Sequence, residues 1–206
     1  MKHTPILLLT LVAASASAAS GIGSGLNYNR VEVGYLSNDA LKGFSVSATA
    51  ELAHSGVIVS GIYADVDGKG AISGYSGHET GFNLGYKFNV GAGDLAVGLG
   101  YLQGQFGSSY GVAQAKQTSL GIQYRQALGS SAEFSVGYQR IRTNLGALEV
   151  DTLGNIYIGA AAESDNVFNL GLRYNFTQNI DVSLIYAFAS KNSSGNTLGL
   201  SAGYSF

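Results

Sequence analysis

The sequence predicts an all-β fold: an antiparallel up-and-down transmembrane β-barrel of ten strands, with eight strands as the alternative. Three observations carry the prediction. Period-2 alternation runs along most of the chain, tyrosines collect at the two ends of the alternating segments, and the last residue is an aromatic that closes an alternating strand. The composition agrees. Hydrophobic residues make up 46% of the chain and charged residues only 12%, about half the charge of a soluble domain.

Alternation is clearest at Phe44–Leu52. There Phe44, Val46, Ala48, Ala50 and Leu52 share one face, and Ser45, Ser47, Thr49 and Glu51 share the other. Phe82–Phe88 and Phe168–Phe176 repeat the pattern. Followed along the chain, it gives strands near 27–36, 43–52, 57–66, 80–88, 95–105, 117–127, 132–143, 166–176, 180–190 and 196–206. Each is near the ~9–11 residues that a tilted membrane strand needs. Connections after the second, fourth, sixth and eighth strands are short, and those after the third, fifth and seventh are long. Short periplasmic turns opposite longer outer loops are the outer-membrane pattern. Tyr35, Tyr63, Tyr101, Tyr138 and Tyr186 then fall near the outer end, and Tyr86, Tyr124, Tyr174 and Tyr204 near the periplasmic end. Two such belts are expected where amphipathic rings meet the membrane interfaces. A soluble sandwich has no reason to sort tyrosine by strand direction.

The N-terminus reads as an export signal. Met1-Lys2-His3 is a short positive start, Pro5–Ala14 is apolar, and Ala16-Ser17-Ala18 is a small-x-small cleavage pattern. The expected division is a signal peptide over 1–18 and the barrel over 19–206. An uncleaved anchor ranks below this, because the apolar stretch is short of the roughly 20 residues a spanning helix needs. With no Cys, disulfides and Cys-ligated metals are excluded. Lys and Arg total 11 against 13 Asp and Glu, so nucleic acid is not an expected partner. No cofactor is expected either. The oligomeric state is not legible.

Two segments carry resemblances. Leu198, Leu200, Ala202, Tyr204 and Phe206 alternate to a terminal aromatic. This resembles the C-terminal assembly signal of outer-membrane barrels, and implies that Tyr204 and Phe206 are read by the barrel insertion machinery. The opening segment Leu26-Asn27-Tyr28-Asn29-Arg30-Val31-Glu32-Val33-Gly34-Tyr35 is similar to the first strand of a family of small outer-membrane barrels labelled sulfation-dependent quorum factor. Arg30 stands where that family tends to have an aromatic, and Val33 where it tends to have Gly. The similarity covers roughly the first third of the mature chain. It implies a small barrel, and ties no residue of this chain to signalling.

If tyrosine faces lipid, the opposite face lines the lumen. That face carries Arg30, Glu32, Glu51, Lys87, Arg125, Glu133, Arg173 and Asp181, four charges of each sign. Buried charges persist when paired or wet, so an internal ion-pair network is expected. A register set by a turn at 128–131 places Arg125 directly opposite Glu133. Gly and Ser fill most other inward positions, which suggests a thin, gated or closed water path and no porin-sized channel.

Catalytic signals are weak. His78 and Glu79 stand across one loop from Asp65 and Asp67, but no complete protease or deacylase constellation is present. Asp65-Val66-Asp67-Gly68 begins like a calcium loop, and Lys69 then falls where the next oxygen ligand belongs. The longest outer loop, 144–165, is expected either to extend its flanking strands as a hairpin or to pack over the barrel mouth. Above the outer tyrosines, the expected register brings Lys116, Arg140 and Arg142 together, with Thr118 opposite Arg140 and Lys116 opposite Arg142. Such a cluster suits lipopolysaccharide phosphate at the level of the outer-membrane head groups, or else is an ordinary solvated base cluster. The leading functional expectation is a non-enzymatic barrel serving envelope integrity or surface interaction. A narrow channel for small polar solutes comes second, and a lipid- or peptide-cleaving surface enzyme third.

Overall fold

The structure, a computed structural model, describes residues 26–109, 111–150, 156–190 and 196–206. The expected signal peptide and the tip of the longest outer loop lie outside the described residues. Ten strands are present: β1 (Arg30–Ser37), β2 (Leu41–Glu51), β3 (Val57–Gly68), β4 (Ser76–Val90), β5 (Gly93–Ser108), β6 (Gly111–Leu128), β7 (Ala132–Val150), β8 (Ile156–Asn175), β9 (Ile180–Ala189) and β10 (Thr197–Ser205). Each pairs antiparallel with its sequence neighbours, and β1 closes the barrel on β10.

Relative to a soluble protein, the barrel is inside out. Phe44 is 71% exposed on the outer wall and Phe82 and Leu99 are each 60% exposed, whereas Arg30 is 1% exposed inside. An outer surface of this kind is stable only against lipid. Aromatic rings edge it at both ends. Tyr35 contacts Phe44, Phe82 contacts Tyr101, and Tyr138, Phe168 and Phe188 form a continuous run near the outer edge. Tyr86 with Phe88, and Tyr174 with Phe176, mark the periplasmic edge. The chain is therefore an outer-membrane β-barrel.

Above the outer belt the pattern inverts. On β3 the outward residue changes from Tyr63 to Asp65, on β5 from Tyr101 to Gln103, and on β7 from Tyr138 to Arg140. The inward residues change the opposite way, from Ser60 to Ala64 and Val66, and from Gly100 to Leu102 and Phe106. The physical cause is the medium outside the wall. Beside lipid the apolar face turns outward, and above the membrane, where water surrounds the wall, it turns inward to form a core.

This inversion corrects the expected strand ends. β5, β6, β7 and β8 run for 16, 18, 19 and 20 residues, and the connection expected to be long after the fifth strand is a tight turn between Ser108 and Gly111. The flanks of the longest outer loop pair up to Val150 and Ile156, so they extend β7 and β8 as a ribbon.

Candidate functional site

The candidate site is the lumen, into which two unlike assemblies project. The lower one is a belt of charge. Arg30 contacts Glu32 at 2.9 Å and Asp181 at 2.5 Å. Arg173 bridges Asp181 at 3.6 Å to Glu133 at 3.1 Å, and Glu133 also binds Arg125. On the far wall, Lys87 meets Glu51 at 2.9 Å and Asp94 at 4.0 Å. All eight lumen charges expected from sequence thus stand in ion pairs at one level. Glu51 also holds the backbone. Its Oε1 accepts the Gly56 N–H at 2.9 Å, which fastens the periplasmic turn where Ala53 and His54 adopt positive φ.

One expected pairing is corrected. Arg125 lies directly opposite Ser135, and Glu133 opposite Ala127, so the β6–β7 register is shifted by two residues from the expected one. A shift of two leaves every side chain on its own face, so alternation alone does not detect it. The two long side chains meet diagonally instead.

Sequence reasoning missed the centre of this floor. Leu26 and Tyr28 precede β1, keep the inward parity of Arg30, and are buried. The Tyr28 hydroxyl donates to Asp94 on β5 at 3.0 Å. Its ring lies 4.5 Å from Lys87 Nζ and 5.1 Å from Arg125 Cζ, within cation–π reach. The N-terminal segment therefore reaches across the periplasmic mouth. The available signal was the parity of Tyr28, a tyrosine on the charged face.

The upper closure is apolar. Leu41, Ala64, Val66, Leu102, Phe106, Ala113 and Ala115 converge from four strands, with Leu36 and Leu145 packed against them. A short 3₁₀ turn, Gly70–Ile72, folds inward and adds Ile72, 8% exposed. Lys69 pins this loop by donating from Nζ to Ser37 Oγ at 3.0 Å and to the Asn38 carbonyl at 2.6 Å. The residue that spoils the calcium-loop pattern is thus a tether for the cap. One carboxylate interrupts the cap. Glu79 is fully buried, and among the described residues neither of its oxygens has a hydrogen-bond partner.

Between floor and cap lies a cavity of about 120 Å³ lined by Ser60, Asn83, Gly98, Gly121, Gln139 and Asn169, among others. The glycines make room for neighbouring polar side chains. A Cβ at Gly100 would sit 2.3 Å from Asn83 Oδ1, and one at Gly137 2.6 Å from Asn169 Oδ1. Those amides therefore lie flat on the wall and leave the centre open.

The catalytic candidates converge only in part. Asp65 and His78 are register partners on the outer wall, and Tyr63 packs on His78 while donating to Asp65 at 2.8 Å. Glu79, one residue on, points to the opposite face. His54 is at the other end of the barrel, in a periplasmic turn. Among the described residues no cluster of His, Asp or Glu is arranged to hold a metal.

The basic rim is also rearranged. Arg142 faces Thr118, Arg140 faces Leu120, and Lys116 faces Asn144. The same two-residue shift places Lys116 one rung above Arg142 rather than beside it. At the C-terminus, Tyr204 and Phe206 are exposed on the outer wall, and the Phe206 N–H donates to the Asn29 carbonyl at 3.1 Å.

No protein-family model matches the chain, and no curated protein is similar to it. Solved outer-membrane barrels are similar in shape. The KdgM porin in complex with disordered oligogalacturonate is 12% identical, with 86% of this chain and 99% of that chain covered and a TM-score of 0.48. The NanC porin is 11% identical, with 86% and 98% covered and a TM-score of 0.40. The β domain of the Bordetella autotransporter BrkA is 12% identical, with 86% and 96% covered and a TM-score of 0.40.

Proposed function

We propose that this barrel is non-enzymatic and non-conducting at rest, and that it serves envelope integrity or surface interaction through the β5–β8 wall that rises above the membrane. The observation that carries this reading is the apolar core in the outer mouth. Hydrated solutes have no polar path past Leu41, Val66, Leu102 and Phe106. Asp65 and His78 pair on the outer wall with the Tyr63 hydroxyl committed to Asp65, while Glu79 points into the barrel; this supports the absence of hydrolytic chemistry, since nucleophile, base and orienting group must share one site. Liposome swelling tests the reading. Wild-type barrel is expected to admit no small neutral sugar such as arabinose, and rapid swelling would sink it.

A second reading, a narrow channel for small polar solutes, is favoured by the polar cavity and its glycine lining. It requires both closures to move, and swelling by the wild-type barrel would support it.

Assembly partners belong to the same proposal. Tyr204 and Phe206, exposed at the end of the closing strand, suit recognition by the barrel insertion machinery. Deleting Phe206 is expected to lower outer-membrane yield in cells while leaving the stability of refolded protein little changed. Normal yield would count against that role.

A further inference from the structure

The outer rim is electrically lopsided. On the outward face of β3, Asp65 and Asp67 stand just above Tyr63, and Asp67 faces Lys42. On the arc across the barrel the outward-facing charges are all basic, with Glu163 of β8 on the other face. Arg140 lies one same-face position above Tyr138, Arg142 one above that, and Lys116, level with Asn144, one higher again. All three are exposed. Their same-face neighbours are uncharged: Gln103, Thr118 and Leu120 on β5 and β6, Asn144 on β7, and Ser164 and Asn166 on β8. Asn166 is itself engaged by the Tyr138 hydroxyl at 2.8 Å, which fixes the belt directly under Arg140.

The corrected register makes this cluster a ladder along the strands. At ~3.3 Å per residue, Arg140 to the level of Asn144 spans about 13 Å. The lowest rung adjoins the lipid-facing wall of Leu120 and Leu99, and the highest stands well clear of it. Three cations at successive heights repel one another unless an anion of matching extent lies against them. A single head-group phosphate reaches one rung. A lipid carrying phosphates at more than one depth reaches them all, with its acyl chains on the apolar wall below. Arg holds phosphate through paired hydrogen bonds, and Lys adds a point charge.

We propose that Lys116, Arg140 and Arg142 form a binding ladder for a multiply phosphorylated lipid of the outer leaflet. This rests on the membrane reading of the barrel. Lipopolysaccharide retained on folded, detergent-purified barrel is the measurement, with heat-modifiable migration on gels confirming separately that each variant is folded. Replacing all three residues with Ser is expected to lower retention roughly tenfold or more. Asp65→Ser with Asp67→Ser, on the opposite arc, should leave it unchanged. The singles separate the sources of phosphate. Arg140→Ser should weaken binding of both phosphatidylglycerol and lipopolysaccharide, whereas Lys116→Ser should weaken only lipopolysaccharide. Wild-type barrel should hold dephosphorylated lipopolysaccharide as poorly as the triple variant holds the intact lipid. Undiminished retention by a folded triple variant would overturn the proposal, as would equal retention of intact and dephosphorylated lipid by the wild type. Failure of the variants to migrate as folded barrels would instead strike at the membrane reading.

Discussion

The two ends of the lumen are filled by opposite chemistries. The floor near the periplasm is built of paired charges crossed by Tyr28, and the cap beneath the outer loops is built of aliphatic and aromatic side chains. Both follow from where water is. At the floor the wall outside is lipid, so apolar residues are taken by the exterior and the interior receives what remains. At the cap the wall outside is water, and the interior becomes an ordinary core. One barrel thus contains an inside-out half and a right-side-out half, with the boundary at the outer tyrosines.

The difference predicts how each half breaks. The largest effect belongs to the floor. Glu133 accepts from both Arg125 and Arg173, so Glu133→Ala takes the ion pair from buried Arg125 and leaves buried Arg173 only its longer contact to Asp181. It should cost about 3–5 kcal/mol, measured by urea unfolding of the refolded barrel. A loss below about 1 kcal/mol would mean the floor is wet enough to screen its charges. Truncation should hurt the cap by a different route. Phe106 is 5% exposed in the core, and Phe106→Ala should cost about 3–5 kcal/mol through lost burial and a new cavity. Added salt should leave that cost unchanged, because no charge is involved.

The boundary itself can be tested along one strand. Leu99 and Gln105 share the outward face of β5, one beside lipid and one above it. Leu99→Arg should cost about 2–4 kcal/mol if near the bilayer midplane. Gln105→Arg should stay within about 0.5 kcal/mol, as surface substitutions do. Similar costs at the two positions would erase the boundary. One effect has the opposite sign. Glu79 is a carboxylate in the apolar cap with no hydrogen-bond partner among the described residues, so Glu79→Leu should stabilise by about 1–3 kcal/mol in the same unfolding assay. Destabilisation would show that Glu79 has a partner that matters.

The same comparison explains what is legible in the sequence. Within the membrane the alternation has a single phase, so ten strands, two aromatic belts and eight inward charges can be read from parity alone. Above the membrane the phase reverses. Gln103 and Gln105 then face outward with Phe106 inside, and an alternation followed by its apolar face ends there; this is why β5–β8 come out shorter in the sequence reading than in the structure. Parity also does not fix which rung faces which, so Arg125 and Glu133 read as direct partners when they meet diagonally. Asp94 is hidden in an apparent turn, and its bond to Tyr28 spans 66 residues, a contact no local pattern encodes.

Single-channel recording in planar bilayers tests the central claim, a lumen shut by two independent closures, most directly. Wild-type barrel should insert without conductance steps. Tyr28→Ala or Phe106→Ala alone should remain silent, because the other closure still stands, and the double variant should show small, steady openings. Regular openings from the wild-type barrel, or from either single variant, would contradict it.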